Sequence, residues 1–337
     1  MNTMQKRNTI GYIAAILGGF SFGSIPILSA TLRDNGISSL EQSILRLVFG
    51  VFIGLVILLF FYISNKENFR KSLSFSAQRS YILQGFIFSI MIVLYLSSIA
   101  LRTPAGEAAL LIQVHPIVTL IMGWSLLKEK VTKSKIVSVL IAIIGIIALT
   151  EPWDWDSFLT SIIGDILALL LGILYAFYIL VNRWGTRNTE EINPSVSISW
   201  VLTWSFLTGI PFLIILSFLP LPSILVAFSL ERILKLGIVG LGFLLAFFGS
   251  LIPYGLIMIA TRYIESSRTS ILLLTEPIGA ISLAYLFLNE AVTIWYLIGG
   301  ICILLAAIIT IVFSRKELEK YAIHQEVEEY DKNSFKN

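Results

Sequence analysis

The sequence predicts an all-α integral membrane protein of ten transmembrane helices, arranged as two inverted five-helix repeats. Three observations lead there. The chain is too apolar to coat itself with water, its apolar residues fall into ten segments of membrane-crossing length, and its second half echoes its first. Of 337 residues, 56% are hydrophobic and 13% charged, against about 25% charged in soluble domains. Lipid is therefore the solvent for most of the chain, and disorder is excluded over its bulk. The single cysteine, Cys302, excludes a disulfide scaffold, and with only His115 and His324 beside it no Cys/His zinc centre is expected. The net charge of +3 comes without a basic patch interleaved with aromatics, so nucleic acid is not expected as a partner.

A helix rising about 1.5 Å per residue needs about 20 apolar residues to cross a hydrocarbon core of about 30 Å. Ten such segments occupy approximately 9–32, 39–63, 80–101, 104–127, 134–150, 162–182, 194–218, 236–261, 268–288 and 293–314. Charged clusters separate them, from Arg33 and Asp34 after the first to Arg315 after the last. The first segment follows Lys6 and Arg7 but is too long for a signal-peptide core and shows no clear small-residue cleavage site, so it reads as a retained helix. Residues 222–233 read as a short interfacial helix, and 315–337 as a charged, solvated tail. With the N-terminus inside, 19 of the 24 Lys and Arg fall on the inner side, 4 on the outer side, and Arg46 within the second span. The positive-inside rule then places both termini in the cytoplasm.

The halves align. Residues 115–132 (HPIVTLIMGWSLLKEKVT) match 276–293 (EPIGAISLAYLFLNEAVT) through Pro116/Pro277, Ile117/Ile278, Leu127/Leu288, Glu129/Glu290, Val131/Val292 and Thr132/Thr293. The first and sixth spans align through Gly11/Gly164, Ala15/Ala168 and Gly19/Gly172. Repeats of five spans, an odd number, must be inserted in opposite senses. The charges agree, since the lysines of KEKVTKSK are missing from its counterpart NEAVTIW. Inverted repeats suit transporters, because the halves can exchange conformations around one central site.

Two five-span halves, each with a Pro-containing span followed by Leu-x-Glu-x-Val-Thr, resemble the EamA family of the drug/metabolite transporter superfamily. The repeats are 9–150 and 162–314. The resemblance implies a carrier of small metabolites, with a cavity lined mainly by the third, fourth, eighth and ninth helices. It names no substrate and assigns no role to His115.

Ionisable groups near the bilayer centre cost roughly 2.5–3.5 kcal/mol on insertion scales, so each needs a reason. Glu276, His115 and Arg46 lie deep in the ninth, fourth and second spans. Glu276 and His115 are candidate substrate-binding residues, with Glu276 also a candidate proton carrier; the opposing reading has Glu276 held by Arg46 and His115 satisfied by packing. Tyr95 and Tyr254 are cavity candidates by position, and Thr119 shares a helical face with Ala108, Leu111, Ile112 and His115. On the ninth span Thr269, Leu272, Leu273 and Ala280 flank Glu276 in the same way. Pro116 and Pro277 are candidate helix breaks that free the carbonyls of Ile112 and Leu273. Gly19 and Gly23 form a GxxxG pattern suited to close helix contact. Thr132 and Thr293 fit helix N-caps, with Glu129 and Glu290 favouring the starts of the same helices.

No Walker loop, nucleophile elbow, GxGxxG or HExxH is present. The reading is a secondary transporter of a small organic solute, an amino acid or drug-like molecule, working by alternating access in the plasma membrane. It has no cofactor, and its expected partners are the solute, the bilayer and a candidate proton. A passive facilitator is the alternative, with a lipid-modifying membrane enzyme third.

Overall fold

The chain solves the bilayer problem with helices, which satisfy their backbone hydrogen bonds internally where no water is at hand. A computed structural model describes residues 3–101, 111–150, 162–188, 191–288, 294–295 and 297–313. Arg102, Ala108, Glu290 and Thr293, the acidic loop 151–156 and the tail 315–337 with His324 lie outside the described residues.

The helices run α1 (Thr3–Phe22), α2 (Ser24–Asp34), α3 (Ser39–Ser64), α4 (Lys66–Ser72), α5 (Phe75–Ala100), α6 (His115–Leu127), α7 (Lys133–Thr150), α8 (Ile162–Asn188) and α9 (Pro194–Ser217). There follow α10 (Ser223–Val226), α11 (Leu230–Ile233), α12 (Leu236–Ala246), a π-helical turn (Phe247–Leu251), α13 (Ile252–Tyr263), α14 (Ser266–Leu273) and α15 (Glu276–Leu288). A last apolar helix, α16, spans Leu297–Phe313. Among the described residues no strand occurs. Seven described helical stretches are long and apolar enough to cross a membrane: Gln5–Asp34, Ser39–Ser64, Phe75–Ser98, Ile166–Thr186, Pro194–Ser217, Leu236–Tyr263 and Ser266–Phe287. The outward faces are apolar, as with Phe60 at 63% and Phe287 at 71% exposure, which is a surface for lipid and not for water. Residues 222–233 form two short helices, α10 and α11, where one was expected. Pro222 precedes the first, and the non-helical backbone of Ala227 and Ser229 separates the two.

Packing follows a regular scheme. α3 lies against α9 and α12, and α9 against α5. α5 and α6 both pack on α8, while α13, α14 and α15 pack on α1. Polar contacts pin this arrangement at one end of the bundle. Trp200 and Trp204 on α9 donate to Ser72 Oγ at 2.9 Å and Gln78 Oε1 at 2.8 Å. The hydroxyls of Tyr81 and Ser197 meet at 2.9 Å. At the opposite end Ser38 and Glu41 form a reciprocal cap on α3. The fully buried Glu41 also accepts from Arg232 at 3.0 Å and from the Ser229 N–H at 2.7 Å.

Two close approaches depend on glycine. A methyl group on Gly19 would stand 2.7 Å from the Leu273 carbonyl oxygen, and one on Gly172 would stand 2.6 Å from that of Ile112. These are the two carbonyls that Pro277 and Pro116 deprive of an N–H partner. The GxxxG pattern thus serves packing within the bundle, with Gly23 against Gly279 and Ala280.

Glu129 departs from its expected place. Thr132 Oγ1 does accept from the Lys135 N–H at 3.4 Å, at the start of α7. Glu129 instead reaches the start of α14, where its carboxylate accepts from Ser266 and Ser267. Lys128, in the left-handed region at φ 58°, aims it there by ending α6. Burial alone would raise the Glu129 pKa, but the side-chain and backbone donors of both serines outweigh it and hold the carboxyl below its ordinary value. A depressed folded-state pKa adds stability that is present above the ordinary glutamate range and lost as pH falls through the lower value. The contact is therefore intact at neutral and mildly acidic pH.

Gly19→Ala and Gly172→Ala are each expected to destabilise the protein by about 1–3 kcal/mol, the usual cost of overpacking. Gly300→Ala, where an added methyl meets no atom within 4 Å, is the control and is expected to leave the thermal unfolding midpoint in detergent unchanged or slightly raised.

Candidate functional site

The site begins with interruptions in helices. Residues 274–275 form a turn between α14 and α15, and residues 113–114 a turn before α6. Pro116 and Pro277 occupy the first turn of the helices that follow, a position that proline's fixed φ favours. Each proline therefore starts a half-helix, and Glu276 and His115 are the first residues of α15 and α6. A half-helix N-terminus carries partial positive charge, a favourable seat for the Glu276 carboxylate.

A third interruption went unread in the sequence. Pro253 lacks the N–H that would bond the carbonyl of Gly249, and the chain answers with the π-helical turn Phe247–Leu251. Arg46, 2% exposed on α3, fills the gap. Its Nη2 donates to the Gly249 carbonyl, and its Nε to Ser250 Oγ at 2.8 Å. The guanidinium carbon also lies 5.7 Å from the centre of the Phe88 ring. Among the described residues Arg46 and Glu276 form no ion pair, so the opposing reading, in which Arg46 holds Glu276, is not what the structure has.

Arg46, Tyr95, Tyr254 and Glu276 nevertheless come together. All four line one cavity with Phe22, Ile25, Met91, Ile92, Ile112, Leu171 and Tyr175. Its free space is about 30 Å³, room for one or two water molecules. The Glu276 side chain is partly exposed to this space and makes no hydrogen bond or ion pair with the described residues. An aromatic wall supports it. Phe22 meets Tyr254 edge-on at 4.9 Å and Tyr175 at 5.7 Å, and Phe88 meets Tyr254 at 4.3 Å. The buried Tyr175 hydroxyl has no hydrogen-bond partner among the described residues.

His115 and Thr119 stand apart from the cavity. Both are fully buried. The His115 ring contacts Ser270 Oγ through Nδ1 at 2.6 Å and Gln113 Oε1 through Nε2 at 3.0 Å. The amide oxygen of Gln113 accepts, so Nε2 carries the proton and Nδ1 accepts from the serine. Both nitrogens are thus engaged, and Thr119 Oγ1 donates to the His115 carbonyl at 2.6 Å. Of the flanking residues expected at the axis, Ile112 lines the cavity, while Leu272 packs in a separate cluster with Tyr12 and Ala15. Trp124 and Tyr285 face outward, at 61% and 56% exposure.

Sequence reasoning missed the contributions of α1, α2 and α8: Phe22, Ile25, Leu171 and Tyr175. Their signal was the Gly19/Gly172 match, which marks those spans as the ones in closest contact with the broken helices.

Described residues that are helical throughout their regular structure, with an apolar outer face and an inner cavity that holds one arginine and one glutamate among apolar and tyrosine side chains, mark a multi-pass membrane protein. The chain belongs to the EamA-like transporter family, which matches residues 9–150 and again 162–312, and it is a transporter and not an enzyme. It is 27% identical over 207 residues, 61% of this chain and 68% of the other, to a protein of Archaeoglobus fulgidus named an uncharacterized transporter. It is 24% identical over 209 residues, 60% of this chain and 65% of the other, to a probable amino-acid metabolite efflux pump of Salmonella typhimurium. One crystal structure superposes with a TM-score of 0.65 at 15% identity, covering 93% of this chain and 99% of that one, which speaks to the fold alone.

If Arg46 is present to satisfy the Gly249 carbonyl, Arg46→Met is expected to destabilise by about 2–4 kcal/mol, the penalty of an orphaned buried acceptor plus lost packing. Pro253→Ala restores the N–H and is expected to recover about 1–2 kcal/mol of that loss in the double variant. Thermal unfolding of the four proteins checks it, and additive effects would refute the assignment.

Proposed function

We propose that this protein is a secondary transporter of a small zwitterionic metabolite, an amino-acid-like solute, working by alternating access. One observation carries the reading: Arg46 and Glu276, a basic and an acidic side chain, face one cavity without pairing with each other. A solute ammonium suits the Glu276 carboxylate, and a solute carboxylate suits the guanidinium, whose hydrogen bonds go to neutral acceptors. Apolar and tyrosine walls would hold the remainder. The name of the Salmonella relative, an amino-acid metabolite efflux pump, points the same way.

The architecture we infer is ten helices in two inverted halves, 9–150 and 162–314, with a tail at 315–337. The packing scheme supports this. If the first span is exchanged with the sixth, the second with the seventh, the third with the eighth and the fourth with the ninth, the packed pairs described above map onto one another. The contact of Gly19 with Leu273 and that of Gly172 with Ile112 are such an exchanged pair. Two halves built this way can open one site to either side in turn. A cavity too small for an organic solute belongs to the closed stage of that cycle. The chain has no ATP-binding motif, so the driving force is a gradient, and Glu276 is the residue to carry a proton. Proton and ammonium would compete for one carboxylate, which is the minimum needed for exchange.

The test uses protein reconstituted in vesicles with an imposed pH gradient and radiolabelled amino acids. Glu276→Gln is expected to abolish gradient-driven accumulation while retaining solute exchange. Accumulation undiminished in this variant would rule out Glu276 as the proton carrier. Equilibration without accumulation in the unaltered protein would make it a facilitator. Simple amines or simple carboxylic acids competing as well as zwitterions would overturn the substrate class.

We also propose a plasma-membrane location with both termini cytoplasmic, from the 19-to-4 distribution of basic residues. In a Cys302→Ser background, Asn35→Cys is expected to react with an impermeant thiol reagent added to intact cells, and Ser74→Cys only after the membrane is opened. The reverse pattern would invert the topology.

A further inference from the structure

α14 begins without a cap of its own. Glu265 occupies the N-cap position and makes no side-chain cap hydrogen bond. The exposed N–H groups of a helix start still require acceptors. Glu129 supplies them from far away in sequence. Its Oε1 accepts from the Ser266 N–H at 2.8 Å and the Ser266 hydroxyl at 2.6 Å. Its Oε2 accepts from the Ser267 N–H at 3.1 Å and the Ser267 hydroxyl at 2.7 Å. Both carboxylate oxygens are used, and Glu129, Ser266 and Ser267 are 4%, 0% and 1% exposed. Gly123 leaves the space for this, since a methyl group there would lie 3.0 Å from Oε2.

A second contact runs beside the first. Lys135, at the start of α7 and 2% exposed, pairs with Glu265 at 2.8 Å while donating to the Lys130 carbonyl at 2.6 Å. Arg268 pairs with the same Glu265 at 3.1 Å. The segment joining α6 to α7, in the first matched half, is thus fastened to the first turn of α14, in the second half. Continuing along the chain, α14 ends at Leu273 and the turn at 274–275 leads to Glu276 in the cavity. Whatever moves the start of α14 relative to α6 also moves the wall that carries the binding carboxylate.

We infer that the Glu129 carboxylate, seated on the N-terminus of α14, is a latch that holds the face of the bundle bearing residues 128–132 closed, and that its release opens the central cavity to that face. The inference rests on the alternating-access reading. The contact has the properties a latch needs. It joins the two matched halves through one side chain, and it is formed by hydrogen bonds that water can replace once the gap opens. A ligand or a mutation acts on such an equilibrium only through a difference between the two states. Removing Glu129 therefore favours the arrangement open on this face.

The experiment reads accessibility, not flux. The full chain carries Cys302→Ser and one reporter cysteine in the cavity, Leu171→Cys. Purified protein in vesicles of each orientation is exposed to a small, charged, membrane-impermeant thiosulfonate. Glu129→Ala is expected to speed labelling from the face bearing 128–132 at least tenfold, and to leave labelling from the other face unchanged or slower. Ser266→Ala with Ser267→Ala keeps the backbone donors and removes the hydroxyls. It is expected to shift the rate in the same direction by about threefold, and it serves in place of Glu129→Ala if that variant does not insert. Equal acceleration from both faces would mean general loosening and overturn the latch. Unchanged labelling in both variants, with the unaltered reporter still labelled differently from the two faces, would overturn the latch and leave alternating access standing. A reporter labelled equally from both faces in every protein would overturn both.

Discussion

Hydrocarbon offers no hydrogen bond to a carbonyl that proline has deprived of its N–H, and much of this structure is arranged around three such carbonyls. Ile112 and Leu273 are approached by Gly172 and Gly19, so close that a methyl group would collide. Gly249 is met by the Arg46 guanidinium. In each case the interruption is turned toward protein, where unpaired backbone is tolerated, and away from lipid. The broken helices consequently converge at the centre, and the cavity forms where they converge.

This constraint explains the different fates of the intramembrane charges. Arg46 is fixed by a backbone defect and contributes its charge to the cavity as a consequence. Glu276 is placed by the start of α15 and finds no partner among the described residues. His115 occupies the matching place in the other half, yet its two nitrogens are taken up by Ser270 and Gln113. The two matched halves therefore differ in chemistry at this position. One half-helix start presents a free carboxylate, and the other a satisfied imidazole that helps hold α6 to α14.

The polar contacts also divide by depth. Near the centre they are few and attached to broken helices. Toward one end the matched halves are joined by charge: Glu129 on Ser266 and Ser267, with Lys135 and Arg268 on Glu265. Hydrogen bonds of ionised groups contribute roughly 1.5–3 kcal/mol each and are not additive, enough to bias a conformational equilibrium without freezing it. The small central cavity and the fastened end are the two observations on which the proposed closed stage rests.

Much of this was legible in the sequence. Composition determined the solvent, because 13% charged residues cannot cover a surface of this size. Proline positions marked the broken spans, depth marked Glu276 and Arg46, and position on the third and eighth spans marked Tyr95 and Tyr254; the fold brings these four to one cavity. Periodicity could not tell which polar side chain would be consumed by a neighbour, since His115 and Glu276 occupy equivalent positions and their neighbours come from other helices. Nor could it place Glu129, whose partners lie 137 and 138 residues away, or connect Arg46 with the bulge before Pro253. Local sequence determines where a backbone loses a hydrogen bond or a helix lacks a cap. Only the tertiary structure decides which distant group makes good the loss, because in lipid that group must come from another helix.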